Sequence, residues 1–260
     1  MTPARLASRA LGFGYGATAV GRDVDVEVRT GEILCLLGPN GSGKTTLFKT
    51  LLGLLPAQAG EVLVDGISLA ELPRREIARR IAYVPQAHTA HFPFRVIDMV
   101  LMGRTAHLSL FAAPTQQDRQ KAQDALALLG IADLAAREYT RISGGQRQLA
   151  LVARALVQDA PAIVMDEPTA NLDFGNQAIV LSEVKRLASR GLAVLLSTHD
   201  PDHAFSIASR VALLDGGTLV DQGTPHAVLT PSRLKSVYGI DVTVERLASG
   251  QTVCAPIYRA

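Results

Sequence analysis

The stretch Gly38-Pro-Asn-Gly-Ser-Gly-Lys-Thr-Thr46 decides the fold of this chain. It follows the wholly apolar run Ile33–Leu37 and precedes leucines at helical spacing, a pattern that ends at Pro56. A glycine, four residues and then Gly-Lys-Thr, set between a buried strand and a helix, is the pattern of a phosphate-binding loop. Its glycines let backbone N–H groups surround a phosphate at the helix N-terminus. We expect Lys44 to reach the β- and γ-phosphates of a nucleotide and Thr45 to hold Mg²⁺.

Two later apolar runs also end in polar side chains. Ala162–Met165 is followed by Asp166 and Glu167, and the run that begins at Leu192 is followed by His199. Because the carboxyl ends of parallel strands meet at one edge of an open α/β sheet, these residues predict a ligand site at that edge. Asp166 is the candidate for holding Mg²⁺, and Glu167 is the candidate for polarising an attacking water molecule. Taken alone, the two carboxylates could simply cap a strand before a proline turn.

The composition indicates a globular protein that is neither strongly basic nor membrane-spanning. Its 260 residues suit one large domain or one domain with a smaller subdomain. The 26 basic and 24 acidic side chains leave a net charge of +2, which argues against nucleic acid or anionic lipid as the main partner. The apolar runs are shorter than the ~20 residues of a membrane helix, and the N-terminus lacks a secretory signal pattern, so we expect a cytosolic chain. Cys35 and Cys254 are interpreted as a buried apolar residue and an ordinary tail thiol.

The order of the remaining patterns predicts an α/β fold with an inserted helical region. Valines that alternate with acidic residues over Val24–Val28 predict a half-buried strand. Residues 95–154 contain no convincing strand pattern and are expected to be helical. Paired glycines between the apolar runs of Val211–Val220 predict a tight hairpin. A last helix is expected over Pro225–Tyr238, followed by a hairpin over 242–253.

The sequence Ile142-Ser-Gly-Gly-Gln-Arg-Gln148 narrows the interpretation. It resembles the signature sequence of ABC ATPases, although without that resemblance it could be the glycine N-cap of an ordinary amphipathic helix. In that family, the serine and glycines open a helix that faces the γ-phosphate of ATP held by the opposite subunit. Gly144 and Gly145 would let backbone amides approach that anion, and Ser143 would add a hydroxyl donor. The resemblance therefore implies a homodimer in which two chains complete each ATP site.

Four more positions match the ABC ATPase pattern, and each is carried over singly. Tyr15 resembles the aromatic residue on which adenine stacks. Gln86 resembles the loop glutamine that senses Mg²⁺ and water and contacts the transmembrane partner. Asp173 lies in a segment that resembles the loop crossing the dimer interface, and His199 resembles the histidine that contacts the γ-phosphate. As isolated residues, Tyr15 and His199 could equally be structural, and Gln86 could be a solvated loop amide.

The resemblance covers nearly the whole chain and implies the α/β P-loop NTPase fold of an ABC ATPase. We expect a single ABC ATPase domain over residues 1–260. Its expected parts are an N-terminal antiparallel β subdomain with a RecA-like core (1–94 and 155–223), an inserted α-helical subdomain with the signature (95–154) and a C-terminal extension (224–260).

The site residues that follow from these motifs fall into three sets. The predicted catalytic residues are Lys44, Gln86, Glu167 and His199. The predicted metal ligands are Thr45, Gln86 and Asp166. The predicted ATP-binding residues are Tyr15, Gly38, Asn40, Gly41, Ser42, Gly43, Lys44, Thr45, Thr46, Ser143, Gly144, Gly145, Gln146 and Asp173. The implied cofactors are ATP and Mg²⁺.

Two segments, Phe94–Arg104 and Val228–Val242, resemble those of bacterial importers of iron chelates, haem and vitamin B12. Leu101–His107, with Phe111 and Pro114, is also similar to the molybdate and tungstate importer ATPase of the same architecture. One copy of each motif, with no attached membrane domain, favours an importer subunit. The resemblance implies an ATP hydrolase at the cytoplasmic face of the inner membrane. Its implied partners are a polytopic permease and, through it, a periplasmic or lipid-anchored substrate-binding protein, without nucleic acid.

Two alternatives from other classes stay open. A soluble ABC regulatory or repair ATPase would cycle alone or with nucleic acid and would lack a helix-docking groove near Gln86–Arg104. A small-molecule kinase could use the same phosphate loop but would leave Ser143–Gln146 unexplained.

The chain departs little from the ABC ATPase pattern. Ile142 replaces a leucine, a swap that conserves volume, and Asn171 replaces a serine or alanine in the interface loop. The remaining histidines form no convincing metal pair and are interpreted as surface or interface residues: His88, His91, His107, His203 and His226.

Overall fold

The computed structural model describes residues 4–86, 92–109, 112–170 and 172–258. Its elements before the helical region are β1 (Ala4–Tyr15), β2 (Thr18–Val24), β3 (Glu27–Arg29), β4 (Ile33–Leu37), α1 (Lys44–Leu51), β5 (Ala59–Val64), β6 (Ile67–Ser68), α2 (Arg74–Arg80) and β7 (Ile81–Val84). The helical region contributes α3 (Val96–Leu101), α4 (Gln116–Leu128) and α5 (Gly144–Leu156). The elements that follow are β8 (Ala162–Met165), α6 (Phe174–Ser189), β9 (Ala193–Thr198), α7 (Pro201–Ile207), β10 (Arg210–Asp215), β11 (Thr218–Gly223), α8 (Pro225–Val228), α9 (Pro231–Tyr238), β12 (Val242–Arg246) and β13 (Thr252–Pro256). Four positions discussed above lie outside the described residues: His88, His91, Phe111 and Asn171.

The sheet that carries the candidate site has six strands in the order β11-β10-β4-β9-β8-β7. All but β11 are parallel to one another, and β11 pairs antiparallel with β10 at the edge. All five residues of β4 are buried, because a parallel sheet is covered on both faces and its strands are apolar throughout. The parallel strands end at the same edge. The phosphate loop after β4, Gln86 after β7, Asp166 and Glu167 after β8, and His199 after β9 therefore meet there.

Side chains of β4 alternate between two hydrophobic cores. Ile33, Cys35 and Leu37 pack into the larger core, which also takes the buried faces of α3, α4 and α5. Leu34 and Leu36 pack into the second core, beneath an antiparallel sheet of order β2-β1-β5-β6 in which β3 also pairs with β1. The phosphate loop therefore follows directly after a strand whose two faces are both packed against hydrophobic cores.

The single strand expected over Val24–Val28 is wrong. β2 ends at Val24 and β3 begins at Glu27, because the long strand β1 changes partner: it pairs with β3 over residues 4–7 and with β2 over residues 11–15. At the break, Asp23 adopts a left-handed φ of 55°, and the Asp25 carboxylate accepts a hydrogen bond from the Ala10 N–H. The alternating valines are buried as expected, but the backbone between them is not a continuous strand.

Two helices also end differently from the sequence expectation. α1 ends at Leu51, well before Pro56, because Gly53 takes a left-handed φ of 66° and turns the chain. The single helix expected over Pro225–Tyr238 is two helices, α8 and α9. Pro231 stands at the first position of α9, where a missing N–H costs nothing, and it cannot continue the helix before it.

Residues 96–156 contribute helices rather than strands. Among the described residues of this region, β pairing is limited to one isolated bridge. Buried Arg104 ties the region together, since its guanidinium donates to the carboxylates of Asp118 (2.7 Å) in α4 and Asp159 (2.9 Å) after α5. Hydrogen bonds from Thr115 and Arg104 lower the pKa of Asp118 to about 2. Within the described parts of the chain, no helix combines the length and hydropathy needed to cross a bilayer.

Candidate nucleotide-binding site

The phosphate loop has three glycines that other residues could not replace without strain. Gly41 and Gly43 have φ values of 82° and 101°, a region that glycine adopts readily and other residues avoid. A Cβ atom on Gly38 would lie 2.1 Å from the carbonyl oxygen of Leu214 in β10, so the loop is pressed against the neighbouring strand. Gly43 is the N-cap of α1, which ends the loop at a helix N-terminus. Backbone amides at such a helix N-terminus are groups that bind phosphate.

Lys44 is folded back onto the phosphate loop. Its Nζ donates to the carbonyl oxygens of Gly38 (2.8 Å) and Pro39 (2.9 Å), and the residue is 6% exposed. Burial lowers the pKa of Lys44, whereas the nearby carboxylates of Glu167 and Asp166 raise it. The ammonium group thus lies between the loop and two carboxylates, from where it can turn to a phosphate bound in the loop.

Asp166 has one satisfied and one unsatisfied oxygen. Its Oδ1 accepts a hydrogen bond from the Ser197 hydroxyl (2.7 Å), whereas its buried Oδ2 has no hydrogen-bond partner among the described residues. Because a buried carboxylate oxygen without a partner is unfavourable, this geometry fits a bound cation. Half-buried Thr45 adds a hydroxyl oxygen at the start of α1, and oxygen ligands suit Mg²⁺. The described residues contain no group of three His, Cys, Asp or Glu side chains that could hold a metal ion by themselves.

Two other predicted site residues contact the carboxylate of Glu167. Its Oε2 accepts a hydrogen bond from Gln86 Nε2 (2.8 Å) and lies 3.4 Å from His199 Nδ1. Its backbone takes a left-handed φ of 47°, which is strained for a residue with a Cβ atom. The loops after β7, β8 and β9 therefore bring an amide, a carboxylate and an imidazole to one point, as acid–base chemistry on a water molecule requires.

Ser197 is a site residue that the sequence analysis did not identify. Its hydroxyl donates to Asp166 Oδ1, and its oxygen accepts a hydrogen bond from the Glu167 N–H (2.9 Å), so it connects the two carboxylate residues. The side chain is fully buried in β9. A serine directly after the apolar run of β9, in the strand beside the one that carries the carboxylates, is the signal that could have found it.

The two histidines after β9 have different surroundings. His199 is largely exposed, with 61% of its side chain accessible. His203 is not an exposed surface residue, because its side chain is only 13% exposed. His203 Nδ1 lies 3.1 Å from the Thr198 hydroxyl, which also accepts a hydrogen bond from the Asp200 N–H (3.1 Å). Burial lowers the pKa of His203 despite the nearby carboxylate of Asp200, so the ring is neutral near pH 7 and supports the turn that carries His199.

Tyr15 lies at the end of β1, beside α1. Its ring is 48% exposed, and Lys49 Nζ stands 6.0 Å from the ring centroid. A hydrogen bond with Thr46 lowers the pKa of Tyr15. The exposed ring therefore stands next to the phosphate loop, within reach of a base attached to a nucleotide bound there.

Comparison with known proteins decides the family. A sequence profile described as ABC transporter matches residues 22–170, more than half of the chain. The chain belongs to the ABC transporter family. The resemblance drawn from the signature sequence is thereby confirmed, and with it the P-loop fold of an ABC ATPase and the use of ATP.

Individual relatives of this ABC ATPase match over most of their length. An uncharacterised ABC transporter ATP-binding protein of Haemophilus influenzae is 43% identical and covers 90% of this chain and 89% of its own. The hemin import ATP-binding protein HmuV of Gloeobacter violaceus is 41% identical and covers 90% of this chain and 88% of its own. Among solved structures, an inward-facing conformation of a metal-chelate type ABC transporter has a TM-score of 0.85 at 35% identity, with 98% of both chains covered.

In this ABC ATPase, the signature residues are separate from the hydrogen-bonded group at the sheet edge. The Ser143 oxygen accepts from the Gln146 N–H (3.2 Å), and the Gln146 side-chain oxygen accepts from the Ser143 N–H (3.0 Å), so the two cap α5 reciprocally. Asp173 caps α6 in a similar way by accepting from the Asn176 N–H (2.8 Å). A Cβ atom on Gly144 would meet nothing within 4 Å. The packing of this chain therefore does not explain a glycine there.

Proposed function

We propose that two copies of this chain bind and hydrolyse ATP between them and thereby drive uptake of a metal chelate through a membrane permease. The observation that carries the proposal is the group around Glu167, where Gln86 and His199 meet its carboxylate beside Lys44 and Asp166. A cation, a carboxylate poised near water and a phosphate loop are the parts that phosphoryl transfer to water requires.

Each residue at the sheet edge has a proposed role. The amides of Gly38–Thr46 and the ammonium group of Lys44 bind the phosphates, and Thr45 and Asp166 hold Mg²⁺. Bound Mg²⁺ supplies positive charge that offsets the charge developing on the γ-phosphate. Glu167 polarises the attacking water, while Gln86 and His199 orient its carboxylate. Tyr15 stacks on the adenine ring.

A second copy of the chain supplies the other face of the proposed site. Ser143–Gln146 begin α5, and the Gly144 and Gly145 amides with the Ser143 hydroxyl would face the γ-phosphate held by the partner's phosphate loop. The open space around Gly144 supports this role, because the glycine leaves room for an external anion. Asp173 would lie at the same dimer interface.

The proposed permease contact is a groove of about 320 Å³ between α2 and the start of the helical region. Exposed Leu54 and Met102 line it together with Arg154, whose guanidinium takes part in none of the ion pairs among the described residues. Burial lowers the pKa of Arg154. An apolar permease segment that carries a carboxylate would therefore match the groove in both surface and charge. This contact would hold the chain at the cytoplasmic face of the membrane.

The proposed cargo class rests on the relatives. HmuV is named for hemin import, and the solved transporter with 35% identity is of metal-chelate type. We therefore propose an iron chelate, haem or cobalamin as cargo, with molybdate or tungstate as the alternative. The permease and its substrate-binding protein would select the cargo, because the ATP site described here has no part in contacting it.

The test of the ATPase proposal compares Glu167→Gln with Lys44→Ala. Glu167→Gln should keep ATP affinity within about twofold, lower turnover by about a hundredfold to a thousandfold, and accumulate an ATP-bound dimer on size-exclusion chromatography. Lys44→Ala should lose ATP binding itself. Glu71→Gln, which changes an exposed carboxylate, is the matched control. Near-normal turnover by Glu167→Gln would remove Glu167 from the proposed role.

The test of the import proposal uses the chain with its membrane partner. The tagged chain is purified from detergent-extracted membranes, the accompanying polytopic protein is identified by mass, and the complex is reconstituted in vesicles. Uptake of haem, a ferric chelate, cobalamin and molybdate is then measured with ATP on the side of this chain. Uptake of a metal chelate supports the cargo class, uptake of molybdate alone replaces it, and the absence of any polytopic partner overturns the importer assignment.

A further inference from the structure

Tyr238, the last residue of α9, carries a buried hydroxyl at the base of the phosphate loop. α9 ends there because Gly239 takes a left-handed φ of 73°, and the Tyr238 ring packs against the larger core. The hydroxyl oxygen is shielded from solvent, lies beside the backbone amide of Gly38, and makes no fully formed hydrogen bond among the described residues. Burial, together with the nearby carboxylates of Asp200 and Glu167, raises the pKa of Tyr238 to about 12, so the hydroxyl is protonated at neutral pH.

The C-terminal segment that contains Tyr238 also contacts the helix that follows His199. The Cys254 N–H in β13 donates to Asp202 Oδ1 (2.6 Å), near the start of α7 and three residues beyond His199. Cys254, which the sequence analysis interpreted as an ordinary tail thiol, is partly buried and packs against the larger core. The segment 231–256 therefore contacts both the loop after β4 and the helix after β9.

Three neighbouring residues pack around Gly38. The Leu214 carbonyl leaves no room on one side, Lys44 Nζ donates to the Gly38 carbonyl oxygen (2.8 Å), and Tyr238 faces the Gly38 amide. When Lys44 turns to a nucleotide phosphate, Gly38 loses its bond to the ammonium group, whereas Tyr238 still faces the Gly38 amide. A buried hydroxyl without a partner destabilises a fold, so a tyrosine that did nothing here would be better as phenylalanine.

We infer that Tyr238 is a positioning residue for the ATP site: its hydroxyl oxygen accepts a hydrogen bond from the Gly38 N–H when the phosphate loop closes on the nucleotide. In the structure the hydroxyl lies beside this amide without a fully formed hydrogen bond. The bond would stabilise the ATP-bound loop but would take no part in the chemical step. The inference rests on the proposed binding of ATP by Gly38–Thr46.

The test is Tyr238→Phe in the full-length chain, measured by ATP titration, steady-state turnover and thermal unfolding. We expect the dissociation constant and KM for ATP to rise about threefold to tenfold, the range of one neutral hydrogen bond, with kcat unchanged within about twofold. The unfolding temperature without nucleotide should stay the same or rise, because an unpartnered buried hydroxyl is removed. Tyr258→Phe, which changes a tyrosine that is 89% exposed in the same part of the chain, is the matched control.

Each other outcome overturns a stated claim. If the wild-type chain binds ATP and Tyr238→Phe binds it equally well, the positioning role of Tyr238 is wrong while the ATP site stands. If Tyr238→Phe lowers the unfolding temperature without nucleotide, the hydroxyl is a structural group and the inference is also wrong. If the wild-type chain itself binds no ATP, the proposed function fails first.

Discussion

The sheet edge and the N-terminus of α5 belong to one reaction in the ABC ATPase pattern, yet this chain builds them differently. At the sheet edge, Gln86 donates to Glu167, and Ser197 connects Glu167 to Asp166. At the start of α5, the side chains of Ser143 and Gln146 form a reciprocal cap with each other's backbone N–H groups. One chain thus completes the first region and leaves the second as a helix cap. We therefore expect that a substitution in one of these two regions can abolish its role without changing the structure of the other region.

Among substitutions that test the two regions separately, Gly144→Leu at the start of α5 is expected to have the largest effect on turnover. The chain has space for a side chain at this position, and leucine is a better helix former than glycine, so folding and ATP affinity of the single chain should not change. Turnover should fall about a hundredfold, because the side chain keeps the partner's ATP away from the amides of α5. Phosphate release and ATP titration measure the two effects separately.

A mixture provides the control for Gly144→Leu. A dimer of one Gly144→Leu chain and one Lys44→Ala chain contains one site with both halves intact, so mixing two inactive proteins should recover part of the turnover. No recovery over a range of mixing ratios would contradict a site shared between chains.

A smaller effect on turnover is expected from Ser197→Ala, which removes the hydroxyl that connects Asp166 and Glu167 at the sheet edge. Removing the buried hydroxyl leaves Asp166 Oδ1 and the Glu167 N–H without their partner, which should lower stability by about 1–3 kcal/mol. Turnover should fall about tenfold because the Glu167 carboxylate is less well oriented. Thermal unfolding and phosphate release test both, with Ser189→Ala on the exposed end of α6 as control. Unchanged turnover in a stable Ser197→Ala chain would show that the connection has no role in hydrolysis.

No effect on turnover is expected from Asp118→Asn in the helical region. This substitution should instead change the free energy of unfolding and its dependence on pH. The pKa of Asp118 is about 2 in the folded chain, below its ordinary value of 3.8, so the carboxylate stabilises the fold at neutral pH. That contribution is lost as the pH falls from about 4 towards 2, because the carboxylate then becomes protonated. Urea unfolding should show wild type more stable than Asp118→Asn at pH 7, with a smaller difference at pH 3. An equal difference at both pH values would contradict the lowered pKa of Asp118, which comes from its hydrogen bonds with Thr115 and Arg104.

The parts of the fold that could be predicted from the sequence are those in which a local pattern and its position agree. The phosphate loop follows a buried apolar run, and Gly216 and Gly217, with φ values of 51° and 77°, form the predicted hairpin turn between β10 and β11. Asp166 was predicted because it ends a run of the same kind. These signals are short-range, so one sequence is enough to find them.

The parts that were missed depend on contacts between distant residues. Ser197 lies thirty positions from Glu167 in the sequence and becomes its partner only because β8 and β9 are neighbours in the sheet. His203 is largely covered beside Thr198 and Asp200, a placement that its flanking sequence, with both polar residues and Phe205, does not specify. The strand break at Val24 follows from the change of partner along β1, and a pattern of alternating valines contains no information about that.

The left-handed backbone at Glu167 has a consequence for the evolution of this chain. A residue with a Cβ atom costs roughly 1–2 kcal/mol in that conformation, and glycine or asparagine would relieve the cost. In a duplicated copy released from the need to hydrolyse ATP, folding stability alone would favour such a replacement. Under the proposed role of Glu167, selection for activity would have to outweigh this cost, and the loss of the glutamate in a descendant would be expected to accompany the loss of ATP hydrolysis.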